Sequence, residues 1–77
     1  MFAAYLLINT EMGSESTVLK ALKKVEGVEE VHNLRGVYDI IARIKVDTMD
    51  KLKSIMKIVG GNDKVTAKLT VLIRERG

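Results

Sequence analysis

The sequence predicts an α+β domain in the order β-α-β-β-α-β, with one antiparallel sheet and both helices on one of its faces. Three observations carry the prediction. Two stretches, 18–25 and 52–59, place apolar residues at helical spacing, and glycine follows each. Four other stretches are apolar runs or apolar–polar alternations of strand length. The six segments form two successive β-α-β units, and right-handed crossovers put both helices on the same face.

Residues 3–9, Ala-Ala-Tyr-Leu-Leu-Ile-Asn, suit a first strand, and Thr10-Glu11-Met12-Gly13 breaks it. Ser14-Glu15-Ser16-Thr17 then offers N-cap oxygens. Val18, Leu22 and Val25 recur on one helical face, with Leu19 beside them and Lys20, Lys23 and Lys24 mostly opposite. Gly27 is the expected C-cap, since a residue without Cβ can take positive φ. Residues 28–34 read as a second strand with a charged start, Glu29-Glu30. Arg35-Gly36-Val37 is a short turn, and residues 38–46 form the clearest strand. In it Ile40, Ala42, Ile44 and Val46 alternate with Ile41, Arg43 and Lys45. So short a connection makes a β-hairpin, with Gly36 at the strained position.

Asp47 or Thr48 caps a second helix whose apolar stripe is Leu52, Ile55, Met56 and Val59, and Gly60-Gly61-Asn62 stops it. In the last strand, residues 65–73, the odd positions Val65, Ala67, Leu69, Val71 and Ile73 are expected to face the helices. Thr66, Lys68, Thr70 and Leu72 are expected to face away. Arg74-Glu75-Arg76-Gly77 reads as a polar tail. This is the ferredoxin-like split β-α-β arrangement, with expected strand order 4-1-3-2. The chain, 1–77, reads as a single domain.

Helices on one face leave the other bare. Alternation puts Tyr5, Leu7, Ile41 and Leu72 there as an apolar group, with Arg43 and Thr70 among them. Small monomers rarely keep such a patch in water. Burying four such side chains contributes roughly 6–12 kcal/mol before the costs of association. A chain of 77 residues buries only about 60% of its unfolded surface and is marginal as a monomer. With no cysteine to cross-link it, self-assembly is the ordinary remedy. A symmetric homodimer through the bare face is therefore expected.

The composition excludes several chemistries. Without cysteine there is no thiolate metal site and no cysteine nucleophile. The single His32 excludes sites needing two histidines. No cofactor is expected. The net charge of +3 comes from 13 Lys+Arg interspersed with 10 Asp+Glu, the pattern of a solvated surface. The apolar start is too short to span a bilayer and lacks the basic region of an export signal, so the expected compartment is cytoplasmic.

No nucleophile elbow, phosphate loop or dinucleotide fingerprint is present. Glu29 and Glu30 are adjacent on a strand and point to opposite faces, which argues against a paired-carboxylate site. Tyr5, His32, Arg43 and Thr70 are the groups that a small dimeric enzyme of this fold could use on the open face. Arg35-Gly36-Val37-Tyr38 begins like an RNA-recognition strand, but Val37 and Asp39 stand where that pattern needs aromatics.

The hairpin Leu34-Arg35-Gly36-Val37-Tyr38-Asp39 carries the remaining candidate site. Asp39 could simply bond the hairpin backbone, and Tyr38 could simply be a half-buried strand residue. Alternatively, N–H groups of a glycine turn hold a carboxylate, an aspartate holds an ammonium and a tyrosine walls in an apolar side chain. Together those match a zwitterionic amino acid.

The run 27–40, Gly-Val-Glu-Glu-Val-His-Asn-Leu-Arg-Gly-Val-Tyr-Asp-Ile, resembles the core signature of the C-terminal effector domain of Lrp/AsnC transcription regulators. The last strand, with Thr66 and Thr70 before an apolar finish, is similar to that family's last strand. The resemblance covers essentially the whole chain. It implies dimers formed through the sheets and joined into octamer or decamer rings. It also implies an amino-acid effector bound between dimers near the hairpin, where Gly36, Tyr38 and Asp39 match the family and Thr70 matches its last-strand threonine; Leu34 and Arg35 of the same hairpin are further candidate contacts. Arg35 and Lys68 depart from the family pattern and leave room for an anionic effector. No helix-turn-helix precedes the first strand, so the resemblance points to a stand-alone effector domain or a fragment of a longer regulator. Such a domain would bind no nucleic acid directly and would partner copies of itself or a full-length regulator. A purely structural assembly module is the alternative.

Overall fold

A computed structural model describes residues 2–73; the expected polar tail, Arg74 to Gly77, lies outside the described residues. The elements are β1 (Phe2–Thr10), α1 (Glu15–Lys23), β2 (Val28–Asn33), β3 (Ile40–Val46), α2 (Met49–Gly60) and β4 (Val65–Ile73). The sheet order is β2-β3-β1-β4 with every neighbour antiparallel, the expected ferredoxin-like topology.

The helices begin differently. Thr48 is extended, and its side-chain oxygen accepts from the backbone N–H of Lys51 at 3.2 Å, capping α2 as expected. Ser14 stands at the N-cap of α1, but its side chain makes no cap bond. Glu15 in the first turn still favours the positive end of the helix dipole. α1 also stops earlier than expected. The N–H groups of Lys24 and Val25 turn back onto the carbonyls of Ala21 and Leu22, three residues before Gly27. Gly27 is the turn into β2, at φ +98°, and a Cβ there would lie 2.9 Å from both Ile55 Cδ1 and Val46 Cγ1. Conformation and close packing both require glycine at that point.

Ile40, Ala42, Ile44 and Val46 on β3 and Ala4, Leu6 and Ile8 on β1 are buried under the helices. Val18 and Leu22 of α1 and Leu52, Ile55 and Val59 of α2 close over them. The fully buried Leu6, Ile8, Ile40 and Ile44 each remove an aliphatic side chain from water, worth about 1.5–3 kcal/mol apiece.

Two bulges set what each edge strand presents. On β2, Val28 pairs with Ile44 and Glu30 with Arg43, so Glu29 is an extra residue. On β4, Asn9 pairs with Ala67 but Thr10 pairs with Val65, so Thr66 is extra. An extra residue reverses the side-chain alternation beyond it. Val65 packs against the core as expected. After the bulge, Lys68, Thr70 and Leu72 pair with Ile8, Leu6 and Ala4 on the helix side, while Leu69, Val71 and Ile73 pair with Leu7, Tyr5 and Ala3 on the open face. The expected outward placement of Leu72 and Thr70 is thus corrected: strict alternation counted from Val65 fails at Thr66.

Candidate functional site

The connection between β2 and β3, residues 34–39, is longer than the sequence suggests, because β3 begins at Ile40 and leaves Tyr38 and Asp39 in the loop. The backbone N–H of Leu34 donates to the Asp39 carbonyl at 2.7 Å and closes the loop at its base. The Asp39 N–H points the other way, to the Ile8 carbonyl at 2.9 Å and to Asn9 Oδ1 at 3.2 Å. Asp39 Oδ2 in turn accepts from the backbone N–H of Thr10 at 2.9 Å. Asp39 therefore does not bond the hairpin's own backbone through its side chain. It ties the loop to the end of β1, on a strand 29 residues away in sequence. One carboxylate oxygen is committed to that tie.

Within the loop, Gly36 has φ +149°, in a region that side-chain-bearing residues avoid, and no atom lies within 4 Å of where a Cβ would stand. Among the described residues none accepts from the backbone N–H groups of residues 35–38. Several adjacent, unengaged N–H groups at a glycine turn make a local positive concavity suited to an anion. Tyr38 is half-buried, Leu34 and Arg35 are exposed, and Val37 is 83% exposed at the tip. Beneath the loop the Thr10 hydroxyl is buried and has no hydrogen-bond partner among the described residues.

Leu34, Arg35, Gly36, Tyr38 and Asp39 thus belong to one loop, as expected, but Thr70 does not join them within a chain. It lies on β4, with β1 between it and the hairpin, and its Oγ1 meets Met56 Sδ at 3.3 Å. Beside it, Lys68 Nζ donates to the Met56 carbonyl at 3.3 Å and so serves the end of α2.

The open face gathers Tyr5, Leu7 and Ile41 through the pairs Tyr5–Arg43 and Leu7–Ile41. Leu69 and Val71 complete the patch on the β4 side, 46% and 44% exposed. Sequence reasoning missed these two, and only recognition of the bulge at Thr66 could have found them. Toward β2 the same face turns charged. His32 Nε2 lies 3.7 Å from Glu30 Oε2, and Arg43 Nε lies 3.8 Å from Glu29 Oε2. The second contact is an ion pair too long to be a hydrogen bond, which leaves the buried Arg43 Nε without one among the described residues. With Thr70 on the opposite side of the sheet, Tyr5, His32, Arg43 and Thr70 do not converge on one face. No group of three or more metal-ligating side chains occurs among the described residues. None of their helices is long and apolar enough to cross a membrane.

Comparison with known proteins agrees with this fold. Residues 3–75 match the family model described as the Lrp/AsnC ligand binding domain. The HTH-type transcriptional regulator FL11 of Pyrococcus abyssi is 27% identical over 70 residues, which are 91% of this chain and 46% of that regulator. The chain thus spans about half the length of the curated relatives it matches. Among solved structures, a hypothetical protein of Pyrococcus horikoshii superposes with a TM-score of 0.91 at 25% identity, covering 99% of this chain and 93% of the other. The structure of FFRP-DM1 gives 0.91 at 25% identity, over 96% of this chain and 100% of that one.

Proposed function

The chain belongs to the Lrp/AsnC ligand binding domain family, a family of transcription regulators, and we propose that it binds an amino-acid effector at the 34–39 hairpin and couples that binding to self-assembly. The observation that carries this reading is the loop itself. Asp39 locks its base to β1, while the N–H groups of residues 35–38 are left for a ligand. The effector's carboxylate would sit on those N–H groups, and its ammonium on the Asp39 oxygen that Thr10 does not use. Leu34 and Tyr38 would wall in its side chain. Arg35 adds a cation at the same loop, which suits an effector with a second carboxylate.

Half a pocket stands open on a single chain, so a second copy completes it. The dimer contact is the open face, through Tyr5, Leu7 and Ile41, with Leu69 and Val71 in the part expected of Leu72. Dimers join at the hairpins into an octamer or decamer ring, where Thr70 of a neighbouring copy can reach the effector. A full-length regulator of the family, in the cytoplasm, is the partner, and DNA contact is left to its other half.

Titration calorimetry with each common amino acid, on wild type and on Asp39→Ala, tests the reading. At least one amino acid should bind at millimolar concentration or tighter, and Asp39→Ala should weaken it by roughly tenfold or more, the scale of a lost charge-assisted bond plus loosened loop. If none binds to the assembled wild type, the effector reading is overturned and a purely structural assembly module takes its place.

A further inference from the structure

We infer that Asn9 couples the open face to the hairpin, its carboxamide oxygen holding the Asp39 N–H while its carboxamide N–H groups donate to an oxygen of a second copy. This role rests on the proposed covering of the open face by a second copy, and it names the residue through which that contact reaches the site. Asn9 stands where the two regions meet. On β1, Ala4, Leu6 and Ile8 are buried under the helices, so Asn9 rises on the other side with Tyr5 and Leu7. Its partner on β4 is Ala67, two residues before Leu69 on the same face.

On its other flank β3 has not yet begun, and Asp39 takes the neighbouring place. Asn9 Oδ1 accepts from the Asp39 N–H at 3.2 Å, and the Ile8 carbonyl shares that N–H at 2.9 Å. Only an oxygen can accept there, so the bond fixes which branch of the carboxamide is oxygen. The other branch, Nδ2, carries two donors, and among the described residues nothing accepts from them. Asn9 is half-buried already, at the hairpin end of the apolar patch.

That unused pair of donors decides what can cover it. In water they are solvated. Under a second copy they lose that water, and a buried donor left unpaired is costly. The neighbours on the face, Leu7 and Ala67, offer no side-chain acceptor. The oxygen must therefore come from across the contact. A carboxamide held from that side is fixed in its plane, which keeps Oδ1 on the Asp39 N–H. Asp39 is the residue whose carboxylate ties the loop to Thr10. Asn9 is thus a positioning residue that acts through Asp39. By reciprocity, whatever fixes Asp39 also favours the contact.

A dilution series of the intact protein, followed by sedimentation and by amide proton shifts, tests the link. As dimers form, the Asn9 side-chain N–H protons and the Asp39 N–H should move downfield together, with the midpoint of the change in mass. Val71→Asp should hold both at their dilute positions. Asn9→Asp keeps an oxygen for the Asp39 N–H but has no donors. It should weaken the dimer several-fold and leave the Asp39 N–H unmoved as the remaining dimer forms. Asn9→Ala should do the same if the new carboxylate repels Asp39. The inference is overturned if the Asn9 side-chain protons stay still while the mass doubles, or if the Asp39 N–H still follows the mass in both variants. A chain that stays monomeric at every concentration overturns it together with the open-face contact. Failure of every amino acid to bind the hairpin overturns the effector reading alone and leaves these outcomes unaffected.

Discussion

The two faces of the sheet are built from the same strands and the same kind of residue, yet only one is closed. On β1, Leu6 and Ile8 are fully buried beneath the helices, while their neighbours Tyr5 and Leu7 reach the open face. On β3, Ile40, Ala42 and Ile44 are buried, and the intervening Ile41 and Arg43 are half-buried. The closed face is apolar throughout its centre. The open face is apolar over β1 and β4 and charged toward β2, where Glu30 and His32 sit beside Arg43 and Ile41. The difference teaches which work each face does. A uniformly apolar face holds one chain together, because dispersion and burial need no direction. A face graded from apolar to charged can in addition select the orientation of a partner, since opposed charges in a wrong register are costly.

The strongest way to break the comparison is to damage the closed face. Leu6→Ala removes most of a fully buried side chain, and should cost about 2–5 kcal/mol of stability in urea unfolding. An equal loss from Leu7→Ala in the isolated chain would show that the faces do not differ.

The second test separates adjacent residues on β4. Val71→Asp places a carboxylate in the proposed contact and should weaken the dimer by about 1–3 kcal/mol, visible as a fall in sedimenting mass on dilution. Leu72→Asp, one residue on but on the helix side, should leave the mass unchanged. The reverse result would mean that the bulge at Thr66 does not reverse the strand in solution.

The smallest effect lies outside both faces. A hydrogen bond from Lys51, and after it the Lys51 charge, hold the Asp47 carboxyl below the usual carboxylate range. A lowered acid contributes stability above its unfolded pKa of about 3.9 and loses it as pH falls through the lowered value. Lys51, raised by the same bond and charge, contributes below its unfolded pKa of about 10.4 and loses that as pH rises through the raised value. Both side chains are largely exposed, so Asp47→Asn should barely alter the melting temperature at neutral pH. The two proteins' curves should converge in strong acid. A large neutral-pH loss would mean that this pair, unlike the charges on the open face, is sheltered by some packing.

How far each feature could be read from residues alone follows from the range of its causes. The phase of β3 was legible because Ile40, Ala42, Ile44 and Val46 alternate without interruption on a strand paired on both sides. The cap at Thr48 was legible because its partner, Lys51, is three residues away. The turn at Gly36 announced itself through glycine. The tie from Asp39 to Thr10 did not, since it joins positions 29 apart and depends on the sheet being formed. Nor did the phase of β4. Leu69, Val71 and Leu72 are all apolar, so both phases of that strand look equally fit to be buried, and Thr66 carries no mark of a bulge.

The extra residue at Thr66 works as a frameshift does in a message. Upstream, Val65 is spelled in the frame of the closed core; downstream, Leu69 and Val71 are spelled in the frame of the open surface. Deleting Thr66 would restore a single frame without changing any other side chain. Ala67 would then follow Val65 directly and still pair with Asn9, so Leu69 and Val71 would stay on the open face and Lys68, Thr70 and Leu72 on the helix side. The extra position therefore hides the change of face from a count along the nine residues, although the pairing on either side of it runs on in register.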